Sequence, residues 1–423
     1  MNLIRKNGEL TLHGQSMVTL KNKYKTPLIV YDEAMIRNQC RRFHQSLKQS
    51  GLIYNISYAS KAFTSIQLFK LMQEEQMGLD VVSIGELYTA IQSGFDPNHI
   101  HFHGNNKTIE EIEYAIESGV EYFVIDSLHE IENIQRIAQQ KNKTINAVLR
   151  VNPGVEAHTH EFIQTGQEDS KFGLSIKNGQ AIEAVHQIQQ SNHLNWYGVH
   201  FHIGSQIFDS TGTIETIYIV FDWLQKNNIQ IQVLNIGGGF SIRYTDEDVA
   251  YPIEDGIQKI TEAIKDAAQQ HHYPIPEIAL EPGRSIVGEA GMTLYDVGTI
   301  KSIPNVNNYV SIDGGMSDHI RTALYQAKYE IELVERDDAK DMKCTVAGKL
   351  CESGDIIQRN IMLPSTIKSG DTLLVKSTGA YHYSMSSNYN QMLKPAVVFV
   401  NQDTDRLVIK RQTLSHLIAN DVL

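Results

Sequence analysis

The strongest constraint on the fold is a regular alternation, from Ile53 to Leu280, of short apolar runs with longer amphipathic ones. The short runs have the length and the β-branched or aromatic content of buried strands. In the longer runs apolar residues recur every third or fourth position, as they do on one face of a helix. Because such alternation joins parallel strands through right-handed crossovers, the pattern predicts a parallel α/β architecture.

Eight strands are predicted in this region. They are Ile53–Ala59, Leu79–Val82, His99–His103, Glu121–Ile125, Ile145–Val151, Leu194–His202, Ile231–Ile236 and Glu277–Leu280. The helices predicted between them include Thr64–Gln76, Gly85–Ser93, Ile109–Ser118, Leu128–Gln139, Ile176–Gln190, Ile214–Lys226 and Ile257–Gln269. Eight strand–helix units in about the usual length favour a closed (β/α)8 TIM barrel, over residues 33–284, rather than an open doubly wound sheet.

After Arg284 strand-like runs follow one another with few long helical segments between them. The predicted strands are Val310–Ile312, Tyr329–Val334, Cys344–Val346, Thr372–Lys376, Ala396–Val400 and Arg406–Ile409. This pattern predicts a second, mainly β C-terminal domain, a β-barrel or sandwich, formed by residues 1–32 and 285–423. The expected fold class is therefore α/β plus β.

Composition narrows the class of protein. With 41% hydrophobic and 20% charged residues, the chain has the composition of a soluble globular protein. No apolar stretch is long enough for a transmembrane helix, and the first residues lack the core of a signal peptide. The three cysteines do not form a disulfide framework, so we expect a cytoplasmic protein. The net charge of −12 argues against nucleic-acid or anionic-membrane partners.

Reactive or glycine-rich clusters coincide with the ends of the predicted barrel strands. They are Lys61 after the first strand, Asp80 on the second, His200 and His202 at the end of the sixth, Gly237-Gly238-Gly239 after the seventh and Glu281-Pro282-Gly283-Arg284 after the eighth. Barrel enzymes carry their chemistry on the loops that follow the strands, and the loops after strands 7 and 8 often bind phosphate. We therefore expect these clusters to meet at one mouth of the barrel.

The clusters contain the groups that a pyridoxal-phosphate (PLP) enzyme needs. A lysine with apolar neighbours, such as Lys61, can form a Schiff base, although a lone loop lysine is usually only solvated. Adjacent glycines let backbone N–H groups approach an anion, and Arg284 comes from the next loop. Cys351 has polar neighbours, which favours an exposed, ionisable thiol over the more common buried cysteine.

Two histidine patterns have alternative interpretations. His99, His101 and His103 alternate along a predicted strand, as metal ligands can. No carboxylate or thiol cluster with matching spacing accompanies them, so we expect no metal. His200 and His202 are compatible with satisfied core histidines, but their position at a strand end favours a functional role for at least one.

Several longer stretches resemble the meso-diaminopimelate decarboxylases, fold-type III PLP enzymes related to ornithine decarboxylase and alanine racemase. The similarity extends from Thr26–Asp32 to Lys410–Gln412. Its most specific stretches are Leu149–Val155, His158–Glu161, Cys351-Glu352-Ser353-Gly354-Asp355, and Gly379-Ala380-Tyr381 running on to Ser386–Asn390. Two departures, Ser60 and Thr322, remove no catalytic group and affect only the fine geometry of the pocket.

The resemblance implies specific catalytic roles. Lys61 would form the Schiff base with PLP, His202 would stack on the cofactor ring and Glu281 would pair with the pyridine nitrogen. Asp80 and His200 would support the pocket. The implied cofactor-binding residues are Lys61, Asp80, His202, Ser205, Gly238, Gly239, Glu281, Pro282, Gly283, Arg284 and Tyr381. The implied substrate-binding residues are Arg284, Arg321, Tyr325, Glu352 and Tyr381.

The resemblance also implies the reaction and the assembly. The reaction is PLP-dependent decarboxylation of meso-2,6-diaminopimelate to L-lysine and CO2, the last step of lysine biosynthesis. Cys351 would be the proton donor and, with Glu352, would come from the partner subunit of a homodimer that shares its active sites. A carboxylate such as Glu281 at the ring nitrogen favours decarboxylation over racemisation, because it makes the ring a better electron sink.

Four alternative functions remain open at this stage. The first is a PLP decarboxylase of the same fold that acts on carboxynorspermidine, arginine or ornithine. An amino-acid racemase is the second, and a non-catalytic PLP-binding regulator is the third, although the β domain and Cys351 argue against the latter. The fourth is a metal-dependent barrel hydrolase that uses His99, His101 and His103.

Overall fold

The structure, a computed structural model, describes residues 3–155, 169–249, 251–402 and 404–422, so the stretch His158–Glu161 lies outside the described residues. The chain forms two compact units. One comprises Gln39–Ser241 and Ala250–Ser285, and the other comprises Met1–Asn38, Ile242–Val249 and Ile286–Leu423. The division predicted at residues 32/33 and 284/285 stays a prediction, and the segment 242–249, placed in the barrel by that prediction, groups here with the second unit.

The strands in chain order are β1 (Leu3–Lys6), β2 (Glu9–Leu12), β3 (Gln15–Ser16), β4 (Leu28–Asp32), β5 (Tyr54–Ala59), β6 (Gly78–Val81), β7 (Ile100–Phe102), β8 (Tyr122–Ile125), β9 (Ile145–Asn152), β10 (Leu174–Ser175), β11 (Leu194–His200), β12 (Val233–Asn235), β13 (Glu277–Leu280), β14 (Gly291–Ile303), β15 (Asn307–Ile312), β16 (Ile331–Leu333), β17 (Met342–Ala347), β18 (Ile356–Leu363), β19 (Thr372–Val375), β20 (Ala396–Asn401) and β21 (Thr404–Ile409). The α-helices are α1 (Met17–Tyr24), α2 (Glu33–Ser50), α3 (Ile66–Glu74), α4 (Ile84–Ser93), α5 (Ile109–Ser118), α6 (Leu128–Gln140), α7 (Gln180–Gln190), α8 (Thr211–Lys226), α9 (Ile253–Gln270), α10 (Arg284–Val287), α11 (Arg321–Tyr325) and α12 (Leu414–Leu417).

A closed parallel barrel forms the first unit. Strands β5, β6, β7, β8, β9, β11, β12 and β13 pair in that order, and β13 pairs back onto β5. This confirms the predicted (β/α)8 barrel. The register aligns Ala59 with Asp80 and Ile56 with Leu280, so the carboxyl ends of β5, β6 and β13 are neighbours. Side chains that follow these strands are therefore brought together by the backbone pairing alone.

Local signals fix where the barrel helices begin and end. Ser83 caps α4 by accepting the Glu86 N–H, and Thr108 forms a reciprocal capping box with Glu111 at the start of α5. Gly94, at φ 78°, ends α4 in the left-handed conformation that side chains disfavour. These caps fix where the loops after β6 and β7 end.

The second unit is mainly β, as predicted. Its main sheet has the order β18-β17-β15-β14-β4-β20-β21, and β19 pairs with both β14 and β16. Strand β4, from the beginning of the chain, lies between β14 and β20, antiparallel to the former and parallel to the latter. Buried side chains form two apolar clusters in this unit, one of which includes Tyr295, Val346 and Leu373.

The predicted strands of this unit do not include β14 and β18. β14 is unusually long, begins at Gly291 and has Gly298 in its interior, both of which weaken a strand signal. β18 exposes Arg359 and Asn360 in its middle. β14 is held in part by its pairing with the distant strand β4, and β18 by its pairing with the preceding strand β17.

No helix in the described part of the chain combines the length and the apolar character needed to cross a membrane.

Candidate active site

Lys61 lies on a single helical turn directly after β5, at the carboxyl end of the barrel. The neighbours Ser60, Ala62 and Phe63 are buried, whereas the Lys61 side chain is exposed. The Ala59 N–H donates to the Pro282 carbonyl at 3.1 Å, which ties this turn to the segment after β13. The sequence places an amine at the mouth of the barrel, and the backbone fixes it beside the residues after β6 and β13.

The Glu281 carboxylate is buried and surrounded by nitrogen donors. Asn235 Nδ2 donates to Oε1 at 2.6 Å, His103 Nε2 lies 2.7 Å from the same oxygen, and His200 Nε2 lies 3.2 Å from Oε2. Burial alone would raise the pKa of Glu281, but the charge of His103 and hydrogen bonds from His101 and His103 hold it well below its usual value. Glu281 is therefore an ionised acceptor inside the barrel.

His202 and His200 are both neutral. Burial, together with the positive charge of Lys61, lowers the pKa of His202 well below its usual value. Burial also lowers the pKa of His200, to about 4, although Glu281 opposes this shift. The Gly238 N–H donates to His202 Nδ1 at 3.3 Å, which fixes the orientation of a flat, uncharged ring. Such a ring can stack on an aromatic ligand.

Three adjacent glycines after β12 pack against backbone. A Cβ at Gly238 would lie 2.2 Å from the Glu281 carbonyl oxygen, and one at Gly239 would lie 2.5 Å from the Gly204 oxygen. Nearby, Arg284 Nη2 donates to Ser205 Oγ at 2.9 Å. A bare backbone loop with a hydroxyl and a guanidinium beside it has the donors that bind a phosphate.

Asp80 is buried at the end of β6, with Oδ1 3.7 Å from His103 Nε2. Burial raises its pKa, and the charge of His103 opposes that shift. His103 thus lies between two carboxylates, Asp80 and Glu281. Asp80 therefore supports the wall of the pocket through His103.

The ligand atoms of His103, His200 and Glu281 lie within 4.8 Å of one another, close enough to hold a metal ion. An ionised carboxylate can only accept hydrogen bonds, so the imidazole nitrogens that face Glu281 carry hydrogens and have no lone pair to offer. Asn235 also donates to Glu281. The arrangement suits a hydrogen-bonded carboxylate, and the expectation of no metal stays a prediction.

In the β unit, Arg321 lies on α11 among aromatic side chains. Its Nε donates to the Tyr329 hydroxyl at 2.8 Å, and its guanidinium carbon lies 5.7, 5.0 and 5.5 Å from the ring centres of Tyr244, Tyr325 and Tyr381. Although burial opposes the charge, the surrounding tyrosines raise the pKa of Arg321 above its usual value. A fixed guanidinium of this kind can bind a carboxylate through a forked pair of hydrogen bonds.

Cys351 is exposed on a turn of the β unit, whereas Cys40 and Cys344 are buried. Its backbone N–H donates to Asn390 Oδ1 at 2.8 Å. Glu352, the next residue, is also exposed. The predicted exposure of the thiol is confirmed, and its catalytic role stays a prediction.

The structure thus brings the predicted residues together in two groups, one in each unit. The barrel group is Lys61, Asp80, His200, His202, Ser205, Gly238, Gly239, Glu281, Pro282, Gly283 and Arg284. In the β unit Arg321, Tyr325 and Tyr381 form one cluster, and Cys351 and Glu352 lie on an exposed turn.

Sequence reasoning missed several residues that shape these groups. His103 was considered only as a metal ligand, yet it directly follows barrel strand β7, and that position was a usable signal. Asn235 ends β12 just before the glycines. Tyr244 had no sequence signal, because only packing between distant parts of the chain brings it to Arg321. Asn390 lies in one of the stretches that carry the family resemblance, but its contact with Cys351 was not predicted.

The barrel group fits PLP. Glu281 offers a buried anion for a ring nitrogen, Lys61 offers an exposed amine, and the glycine loop offers a cradle that a side chain would fill. His202 adds a neutral ring that is held by a backbone donor.

Comparison with known proteins agrees with this chemistry. Residues 33–288 match the family model described as pyridoxal-dependent decarboxylase, pyridoxal binding domain. The chain is 62% identical over 415 residues to a diaminopimelate decarboxylase of Staphylococcus aureus (strain COL), covering 98% of each chain. It is 47% identical over 421 residues to one of Bacillus subtilis (strain 168), covering 98% of this chain and 96% of the relative.

Solved structures agree as well. A diaminopimelate decarboxylase from M. jannaschii in complex with L-lysine matches with a TM-score of 0.94 and 34% identity, over 100% of this chain and 98% of that chain. The corresponding protein from Helicobacter pylori, also complexed with L-lysine, matches with a TM-score of 0.87 and 31% identity, over 95% and 98% of the two chains.

Proposed function

The chain belongs to the pyridoxal-dependent decarboxylases, and from that premise we propose that it converts meso-2,6-diaminopimelate to L-lysine and CO2, the last step of lysine biosynthesis. The observation that carries the proposal is the ionised Glu281 beside the Lys61 turn. When bound, PLP supplies an aldehyde that bonds to amines and a ring that takes up the electron pair left on the α-carbon when CO2 departs.

The barrel residues have separate tasks in this reaction. Lys61 would hold the cofactor through its amine. Glu281, because it is ionised, would favour a protonated ring nitrogen, which helps loss of CO2. His202 would pack against the ring, and the glycine loop with Ser205 and Arg284 would bind the phosphate. Asp80 and His200 hold this wall in place.

The β unit selects the substrate. Meso-diaminopimelate carries a second ammonium and carboxylate remote from the reacting carbon. Arg321, fixed by Tyr329 and flanked by Tyr325 and Tyr381, binds a carboxylate, and Glu352 binds the ammonium. A substrate without the second carboxylate would leave the buried guanidinium without an anion, which penalises its binding.

Cys351 delivers the proton that replaces CO2. Its exposure supports this role, since a thiol on an exposed turn can reach a substrate bound by another chain. We propose that Cys351 and Glu352 act in the active site of the partner subunit of a homodimer, and that the enzyme works in the cytoplasm.

The experiment is an assay of CO2 release from meso-diaminopimelate, L-ornithine, L-arginine and carboxynorspermidine with the purified PLP enzyme. The proposal expects rapid release from meso-diaminopimelate, with L-lysine as product. Preferred release from another amino acid would reject the proposed substrate. A change in optical rotation without CO2 would identify a racemase instead.

A further inference from the structure

A line of polar side chains crosses the barrel interior below Glu281. Asn235 Nδ2 donates to Glu281 and also to the Tyr122 hydroxyl, at 3.2 Å. That hydroxyl lies 2.8 Å from His101 Nδ1, and His101 Nε2 lies 3.1 Å from Glu121 Oε2. Bulky branched apolar side chains usually fill such barrels, so this buried polar line requires an explanation.

His101 is the central group of this line. It is fully buried, its ring stacks on Tyr122 with centres 3.8 Å apart, and Ser57 Oγ lies 3.2 Å from Nδ1. Burial lowers the pKa of His101, but hydrogen bonds and charges from Glu121 and Glu281 outweigh burial and raise it to about 9. At neutral pH an imidazolium therefore lies inside the barrel.

This cation has a carboxylate on each side. Glu121 lies 3.1 Å from Nε2, and Glu281 lies 3.9 Å from Nδ1. Glu121 immediately precedes β8, at the end of the barrel opposite Lys61, and its side chain is 22% exposed. The line thus connects Glu281 with solvent at the far end of the barrel.

A buried carboxylate without compensating positive charge is strongly disfavoured, so Glu281 needs cations nearby. His103, 2.7 Å from Oε1, supplies positive charge on the side of Asp80, whereas His200, with a pKa of about 4, contributes a hydrogen bond without a charge. His101 adds positive charge on the side away from Lys61, and Glu121 keeps His101 charged.

We infer that His101 and Glu121 are positioning residues, which hold the Glu281 carboxylate ionised and fixed from the end of the barrel opposite the substrate. The inference rests on the proposed role of Glu281 beside the cofactor ring. Neither residue touches substrate or cofactor. Their effect passes through the Glu281 carboxylate and through Asn235 and Tyr122, which link the two ends of the line.

The test uses Glu121→Gln in the holoenzyme, loaded with PLP that carries ¹⁵N in its ring. The substitution keeps the shape of a partly exposed side chain and removes its charge. Nitrogen NMR reports whether the ring nitrogen is protonated. We expect the nitrogen signal to move toward that of the neutral ring. We also expect kcat to fall about tenfold, as when a residue that supports a functional ligand is removed, with little change in KM.

Glu277→Gln is the matched control. Glu277 lies at the same end of the barrel and loses the same charge. Its charge acts on His101 and Glu121 through space, but it makes no hydrogen bond to His101 among the described residues. It should leave the nitrogen signal and kcat close to those of the native enzyme. His101→Gln should reproduce the effect of Glu121→Gln, and Glu121→Asp should restore part of it.

An unchanged nitrogen signal and an unchanged kcat in Glu121→Gln would overturn the inference, as would an equal change in Glu277→Gln. Loss of thermal stability in Glu121→Gln without a change in the nitrogen signal would show that His101 and Glu121 have only a structural role. That result would overturn the inference too. A native holoenzyme whose ring nitrogen is already neutral would instead refute the proposed role of Glu281.

Discussion

Gly238→Ala should disturb both stability and catalysis, because the added methyl group has no room. Its Cβ would lie 2.2 Å from the Glu281 carbonyl oxygen and 3.0 Å from the Glu281 carbonyl carbon. Ordinary contacts of this kind require about 3.5 Å, so the backbone after β13 must move by more than about 1 Å. Overpacking of this kind costs about 1–3 kcal/mol of unfolding free energy.

The same movement displaces the Glu281 backbone, which positions the buried carboxylate. A misplacement of about 1 Å at a reacting centre can cost about 100-fold in rate. We therefore expect a similar loss in kcat/KM, together with weaker PLP binding, because Gly238 belongs to the proposed phosphate cradle. Denaturant unfolding of the apoenzyme, absorbance titration with PLP and CO2 release measure the three effects.

Gly85→Ala is the control for this prediction. Gly85 lies on α4, and its nearest neighbour to a new Cβ, Ser83 Oγ, would be 3.8 Å away. Alanine in a helix is more favourable than glycine by about 0.5–1 kcal/mol, so this variant should be slightly more stable. Native stability, PLP affinity and turnover in Gly238→Ala would refute the reasoning.

Three further predictions concern the β unit. Asp355 accepts the N–H groups of Met316 and Leu350 at 2.6 and 2.7 Å, so Asp355→Ala should loosen the Cys351 turn and change its alkylation rate by iodoacetamide severalfold; an unchanged rate would exclude this clamp. Arg321→Ala should lower kcat/KM for diaminopimelate more than tenfold, about 1.4 kcal/mol, and unchanged kinetics would remove Arg321 from the substrate site. Burial raises the pKa of Asp318 to about 7, so the folded protein keeps a proton that the unfolded chain loses, and stability falls as pH rises from about 4 to 7. Unfolding free energies across this range should show a smaller fall in Asp318→Asn, and parallel curves would contradict the assignment.

The barrel could be predicted from sequence because the local pattern of strands and helices agrees with the overall fold. The predicted last strand, Glu277–Leu280, coincides with β13, and the predicted helix Ile109–Ser118 coincides with α5. The strand-helix period and the caps carry this information locally. β14 was not predicted, because its glycines weaken the pattern and two of its three partners, β4 and β19, are distant in sequence.

Only those site residues could be predicted whose position at the end of a barrel strand indicates a function. Lys61 and Glu281 follow barrel strands and meet at one mouth. His103 has the same kind of position, but its alternation with His99 and His101 led only to a metal hypothesis, which was rejected, and not to a role beside Glu281. The charge of His101 depends on Glu121 and Glu281, which approach it only in the closed barrel, so its role could not be read from the chain.

The proposed function requires the Lys61 amine to hold PLP at the mouth of the barrel. The decisive experiment is the visible spectrum of native enzyme and of Lys61→Ala, each after incubation with PLP and removal of the free cofactor. We expect a yellow native enzyme whose absorbance changes on addition of meso-diaminopimelate, and a variant that lacks the band of the covalently held cofactor and has no turnover. The same band and normal turnover in Lys61→Ala would exclude this role of Lys61.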